Sequence, residues 1–200
     1  MLRRLAPLAA ALLVALLAVP AALAGGSRAA GGAPLVFDGG SAAQRAQVRS
    51  ALRASAFPWA VLPQAVVVHI AHGAPDQALP GQIWIDADLL DAGTTSWGVV
   101  QHELAHEVDL LLLDPASRAA LARLLGGSAW WSGGVAHGDD PAERFASTLA
   151  WAYWPSPENV LEPASPRDEA GHVAPALFRA TLARLLPSVA KARVRVSLHR

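Results

Sequence analysis

The pentad His102-Glu103-Leu104-Ala105-His106 lies midway along a stretch, about Ser96 to Leu113, in which Val100, Leu104, Val108 and Leu111 share one helical face. Histidines at i and i+4 stand one turn apart on the same side of a helix, so both imidazoles can reach a single metal ion. Glu103 projects beside them, where a carboxylate can act as general base toward a water. A helix with this H-E-x-x-H stripe either turns it toward other elements that complete a site or leaves it in solvent as an ordinary polar face. The first outcome demands a fold built around the helix.

The start of the chain has a different character. Arg3 and Arg4 form a short basic head, Leu5 to Val19 is an uninterrupted apolar run, and Pro20 precedes Ala22-Leu23-Ala24. That is the pattern of a secretory signal peptide over residues 1–24, cut after Ala24, and it predicts a secreted or cell-envelope protein. A retained anchor is the competing reading, since Leu5 to Ala24 almost spans a bilayer. The loop-like Gly25-Gly26-Ser27 favours cleavage, which leaves no integral membrane segment. Residues 25–33 read as a flexible linker and 34–200 as one domain without internal repeats, expected to be a monomer. Removing Arg3 and Arg4 from the sixteen basic residues leaves fourteen against sixteen acidic, a net of −2, so nothing points to a nucleic-acid partner. There are no cysteines. Disulfides and thiolate metal sites are excluded, and any metal must be held by His, Asp or Glu.

Leu35 to Phe37 reads as a short strand, and Ser41 with Gln44 is a capping box opening a helix to about Ser55. Ala65 to Ile70 is a β-branched run suited to a buried strand; Gln82 to Asp86 alternates and reads as a strand nearer an edge. Thr94, Thr95 and Ser96 offer N-caps for the motif helix. Asp114-Pro115 starts a second helix that ends at Gly126-Gly127, and Asp140-Pro141 repeats the signal for a third, to about Trp154. Pro155 to Pro166 is too proline-rich for regular structure, and a last helix covers about Ala174 to Leu186. Strands first and helices after predict an α+β fold.

Two histidines are half of a zinc site. A metzincin would carry glycine at 109 and histidine or aspartate at 112; Asp109 and Leu112 stand there instead. A carboxylate from a later helix remains, giving a His2Glu set. Glu143, thirty-seven residues beyond His106, is the best placed, at a distance that lets a helical hairpin return across the motif helix. Glu143 also sits at N3 after Asp140, where a glutamate closes a capping box and suits the helix dipole. Asp139 and Asp140 are competing ligands.

The segments His102-Glu103-Leu104-Ala105-His106-Glu107-Val108-Asp109 and Pro141-Ala142-Glu143-Arg144-Phe145-Ala146 together resemble the gluzincin pattern of the anthrax lethal factor catalytic domain and related secreted bacterial proteins. The resemblance covers roughly Gly81 to Trp154. It implies that His102, His106 and Glu143 bind Zn2+, that Glu103 is the base, and that the fold is zincin-like, a minimal gluzincin with a small mixed sheet on the active-site helix and a helical C-terminal half. Peptide hydrolysis is the activity it implies, with a peptide or protein as substrate. Ser147 stands where the family carries an acidic residue facing a ligand histidine. The family's tyrosine before the ligand helix is absent, and His137 in the preceding loop is the candidate to donate to the oxyanion in its place. These two departures motivate the rival expectation, a catalytically weak or inactive zincin-like module that binds a wall polymer or a protein.

The edge strand expected at Gln82 to Asp86 would take an extended peptide by backbone pairing, as related zincins do. Trp130 and Trp131 could wall a substrate pocket or stack on sugar rings. Trp97, Trp151 and Trp154 read as core. Asp109 either steadies a ligand histidine or pairs with a basic neighbour. His69 and His72, closing a buried strand, are expected to satisfy backbone groups rather than bind metal.

Overall fold

A computed structural model describes residues 34–132 and 135–197; the expected signal peptide and linker, residues 1–33, lie outside the described residues. The chain runs β1 (Leu35–Gly39), α1 (Ala42–Ala54), β2 (Val66–Ala71), β3 (Gln77–Leu79), β4 (Gln82–Asp86), α2 (Ala87–Asp91), α3 (Trp97–Leu112), α4 (Pro115–Leu124), α5 (Pro141–Tyr153), α6 (Pro175–Leu185) and α7 (Pro187–Ser197). The fold is α+β, with a small mixed sheet of order β1-β2-β4-β3. β2 pairs in parallel with both β1 and β4, and β3 runs antiparallel to β4. Among the described residues no helix is long and apolar enough to cross a membrane.

Local signals explain most boundaries. Ser41 and Gln44 form the capping box, with both reciprocal hydrogen bonds present. Asp114 and Asp140 cap α4 and α5, each followed by proline at the first helical position. The proline-rich stretch after α5 is irregular, and a single 3-10 turn, Glu169–Gly171, ends it. Ser96 stands at the N-cap position of α3 but makes no side-chain capping bond. It lies in a 3-10 turn that leads straight into the helix, and its hydroxyl donates back to the Gly93 carbonyl at 2.6 Å.

One sheet face is apolar. Val66, Val68 and Ile70 of β2 and Ile83 and Ile85 of β4 are buried in one core with Val48 and Leu52 of α1 and Val100, Leu104 and Val108 of α3. On the other face His69 stacks on Trp84 at 4.7 Å and bonds the Asp38 and Gln82 side chains. His72 pairs with Asp88 in solvent. Both histidines thus satisfy side chains, not the backbone groups expected of them.

Gln82 to Asp86 is not an edge strand. It is paired on both sides, by β2 and by the three-residue β3. The edge belongs to β3, which covers Gln82–Trp84 on the side away from β2, so a peptide cannot add to β4 as it would to an edge strand. β3 reaches β4 through Pro80-Gly81, and Gly81 has φ +81°, a left-handed conformation that favours glycine.

That turn is fastened to the motif helix. The Gly81 amide donates to Glu107 Oε2 at 2.7 Å, and Glu107 is wholly buried. Burial pushes the Glu107 carboxyl up to about 7, against the hydrogen bonds from Gly81 and Gln82. A carboxyl raised above its unfolded value holds its proton more tightly in the folded state. Its contribution is therefore complete below about pH 4.5 and is lost as pH rises through about 7. Glu107→Gln keeps the acceptor for Gly81 and removes the titration. The metal-free variant should lose less thermal stability than the parent as pH is raised from about 4.5 to 7, measured by melting curves; parallel curves would refute the assignment.

Candidate metal centre

α3 and α5 cross with their polar stripes facing each other. Every residue of α3 from His102 to Asp109 is buried, and so is most of α5. His102 Nε2 lies 3.1 Å from Glu143 Oε2, His106 Nε2 lies 3.2 Å from the same oxygen, and the two Nε2 atoms are 3.2 Å apart. The three atoms form a nearly equilateral triangle. Ligands of a small divalent ion bound tetrahedrally at about 2.0–2.1 Å stand roughly 3.3–3.4 Å from one another, so the triangle is slightly tighter than, and close to, the edge length such an ion requires. His102, His106 and Glu143 could hold a metal ion. Asp139 and Asp140 are engaged elsewhere: Asp139 pairs with Arg144, and Asp140 caps α5 and accepts from the Ser132 amide.

The electrostatics suit a cation. Burial lowers the pKa of His102, against its hydrogen bond to Glu143, and a neutral imidazole is the form that binds metal. For His106 burial also acts downward, but the Glu143 hydrogen bond and the charges of Glu143, Glu103 and Asp109 outweigh it and raise the value. Glu143 is held well below the usual carboxylate range: burial opposes this, and hydrogen bonds from both imidazoles prevail. Glu103 goes the other way. Burial pushes it up to about 7, with Asp76 and Glu143 adding repulsion and His106 opposing.

A cleft of about 450 Å³ opens over the triangle. Glu103, His102, His106 and Glu143 line it, with β3 along one side and Leu110 and Trp131 along another. The tryptophan pair is divided. Trp130 is buried and donates through Nε1 to Asp109 Oδ2 at 2.9 Å, whereas Trp131 is half exposed and lies 6.3 Å, ring to ring, from His106. Asp109 is fully occupied by Trp130 and by Arg118 at 2.6 Å, so it pairs with a basic neighbour and does not bond His106. Trp97, half-buried, packs on Trp154 at 5.6 Å.

His137 is brought to the site. Its Nε2 lies 3.0 Å from Glu143 Oε2, and its ring remains largely exposed at the cleft mouth. Burial lowers its pKa, but the Glu169 hydrogen bond and the charges of Glu143 and Glu169 win and raise it. Two residues here escaped sequence reasoning. Asp76 lines the cleft beside Glu103, and Glu169 contacts both His137 and Ser147. Neither belongs to a motif; only the serine at 147, in place of an acid, hinted that a carboxylate should be sought elsewhere.

Removing Glu143 breaks the triangle at its only anionic corner. Glu143→Ala should lower divalent-metal affinity by more than the 10–100-fold expected of an outer partner, read by metal analysis of the purified protein after dialysis. Retention of stoichiometric metal would mean that the carboxylate is not a ligand. Comparisons with protein-family models, curated proteins and solved structures found no match to this chain.

Proposed function

We propose that this chain is an exported zinc-dependent hydrolase with a zincin-like, minimal gluzincin domain, and that its substrate is a peptide. The observation that carries the reading is the triangle of two imidazoles and one carboxylate at zinc-ligand spacing, set in the wall of an open cleft with Glu103 beside it. Two nitrogens and one oxygen form the donor set of His2Glu zinc enzymes, which use three protein ligands and keep one position free. Bound zinc supplies Lewis acidity: it lowers the pKa of water toward 7 and polarises a scissile carbonyl.

The chain's own residues do the rest. Glu103 takes a proton from the attacking water and returns it to the leaving amine, a task for which a carboxyl poised near neutrality is well matched. His137 stands at the cleft mouth with Nδ1 held by Glu169 and Nε2 3.0 Å from Glu143 Oε2; with that oxygen given over to zinc, the Nε2–H would be released to meet negative charge developing on the carbonyl oxygen. Among the described residues β3 has one side without a strand partner, and it borders the cleft, so an extended peptide can pair with Gln77–Leu79 and lie across the site. Trp131 and Leu110 offer an apolar wall for one of its side chains.

Glu103→Gln should abolish hydrolysis, by about 10²–10⁴-fold, and leave zinc bound; loss of zinc in that variant would assign Glu103 as a ligand instead. The base must be ionised to act, so peptide turnover should fall as pH is lowered. The limb should sit at or below about pH 7, because a nearby dication favours the carboxylate. His137→Ala should reduce kcat by about 10²–10³-fold at unchanged zinc content, and unchanged kcat would remove it from the mechanism.

A further inference from the structure

Ser147 occupies the α5 position one turn beyond Glu143, and it is wholly buried. Its Oγ lies 3.0 Å from His102 Nδ1 and 2.7 Å from Glu169 Oε2. The directions of these bonds follow from the ligand role. If His102 Nε2 presents its lone pair to a metal, Nδ1 carries the hydrogen and donates to Ser147 Oγ. The serine hydroxyl must then donate onward, and Glu169 is the acceptor. The other oxygen of the same carboxylate, Oε1, lies 2.8 Å from His137 Nδ1. One carboxylate therefore ends two chains of hydrogen bonds, each starting at a histidine of the site.

Glu169 is rigidly presented. Its 3-10 turn is closed by Asp168, which accepts from the Ser165 amide at 2.8 Å and the Ser165 hydroxyl at 3.0 Å, and by the Gly171 amide donating to the Asp168 carbonyl at 2.8 Å. Ala170 is buried, and a side chain at 171 would fall on the Ser165 backbone, so the turn is packed tightly. On the other side, the loop carrying His137 closes on Glu169 so nearly that a Cβ at Gly138 would lie 3.2 Å from Glu169 Cγ. Against its burial, the hydrogen bonds from His137 and Ser147 keep Glu169 below its ordinary pKa, as a terminal acceptor must be.

We propose that Glu169 is the positioning carboxylate of this metal site, orienting the ligand His102 through Ser147 and His137 directly. The inference rests on the metal reading given above. It also accounts for Ser147: the serine extends the reach of a carboxylate that arrives from a different element.

The test is zinc affinity of the mature protein, measured by competition with a chromophoric chelator, together with the visible spectrum of the cobalt-loaded form. Glu169→Gln and Ser147→Ala should each weaken zinc about 10–100-fold and alter the cobalt bands, and the double variant should be no weaker than either alone, because the two act in series. Glu158→Gln, an exposed substitution in the same irregular segment, should bind as the parent does. Unchanged affinity in Glu169→Gln, or losses that add in the double variant, would overturn the role of Glu169 while leaving the site intact. A parent protein without stoichiometric zinc would overturn the metal reading itself. Ser147→Ala tests the same path should the loop variant fold poorly.

Discussion

Five ionisable side chains of one helix are withdrawn from water: His102, Glu103, His106, Glu107 and Asp109. Taking a charge into a protein interior costs several kcal/mol unless it is answered by a partner or surrendered by protonation. Much of the architecture around α3 consists of those answers. The β3–β4 turn meets Glu107 with a backbone amide, α4 sends Arg118 to Asp109, and α5 presents Glu143 to both imidazoles. Glu103, which lines the open cleft, has no such donor among these answers, and both it and Glu107 meet burial by holding their protons more tightly. A helix loaded in this way would be a poor element in isolation, and it is tolerable only with all its neighbours in place.

The two glutamates nearest the triangle illustrate how environment assigns roles. Glu143 shares its carboxylate with His102 and His106 and is kept anionic; Glu103, more deeply buried and without such donors, is driven toward the neutral form. Carboxyls pushed apart in this sense are what acid–base chemistry and metal ligation need side by side. Ser147, one of the departures behind the non-catalytic alternative, contacts both His102 and Glu169.

Features set by short-range spacing were legible in the sequence. The i, i+4 histidines, the capping box at Ser41 and the Asp-Pro helix starts depend on a few adjacent residues, and the return of α5 over α3 followed from the hairpin length between them. The edge of the sheet was not legible. Alternation in Gln82–Asp86 reports which faces are wet, whereas an edge is defined by backbone pairing in the perpendicular direction, and that is decided by whether another strand arrives. Here a three-residue strand arrives, too short to show a pattern of its own. Glu169 was invisible for a related reason. It meets Ser147 across twenty-two residues of mostly irregular chain, where no periodicity links contact to spacing.

Trp130 and Trp131 are neighbours in sequence with opposite fates, and the first is moored to Asp109 on the helix that carries the histidines. The floor of the cleft and one of its walls therefore hang from the same piece of backbone. Variation at Trp131 can reshape what the cleft accepts without touching the interior, while any change at Trp130 or Asp109 tilts wall and floor together. Change in the shape and polarity of the cleft in a lineage of such chains should thus be concentrated at the outer tryptophan, with the inner one held fixed by the cost of moving both.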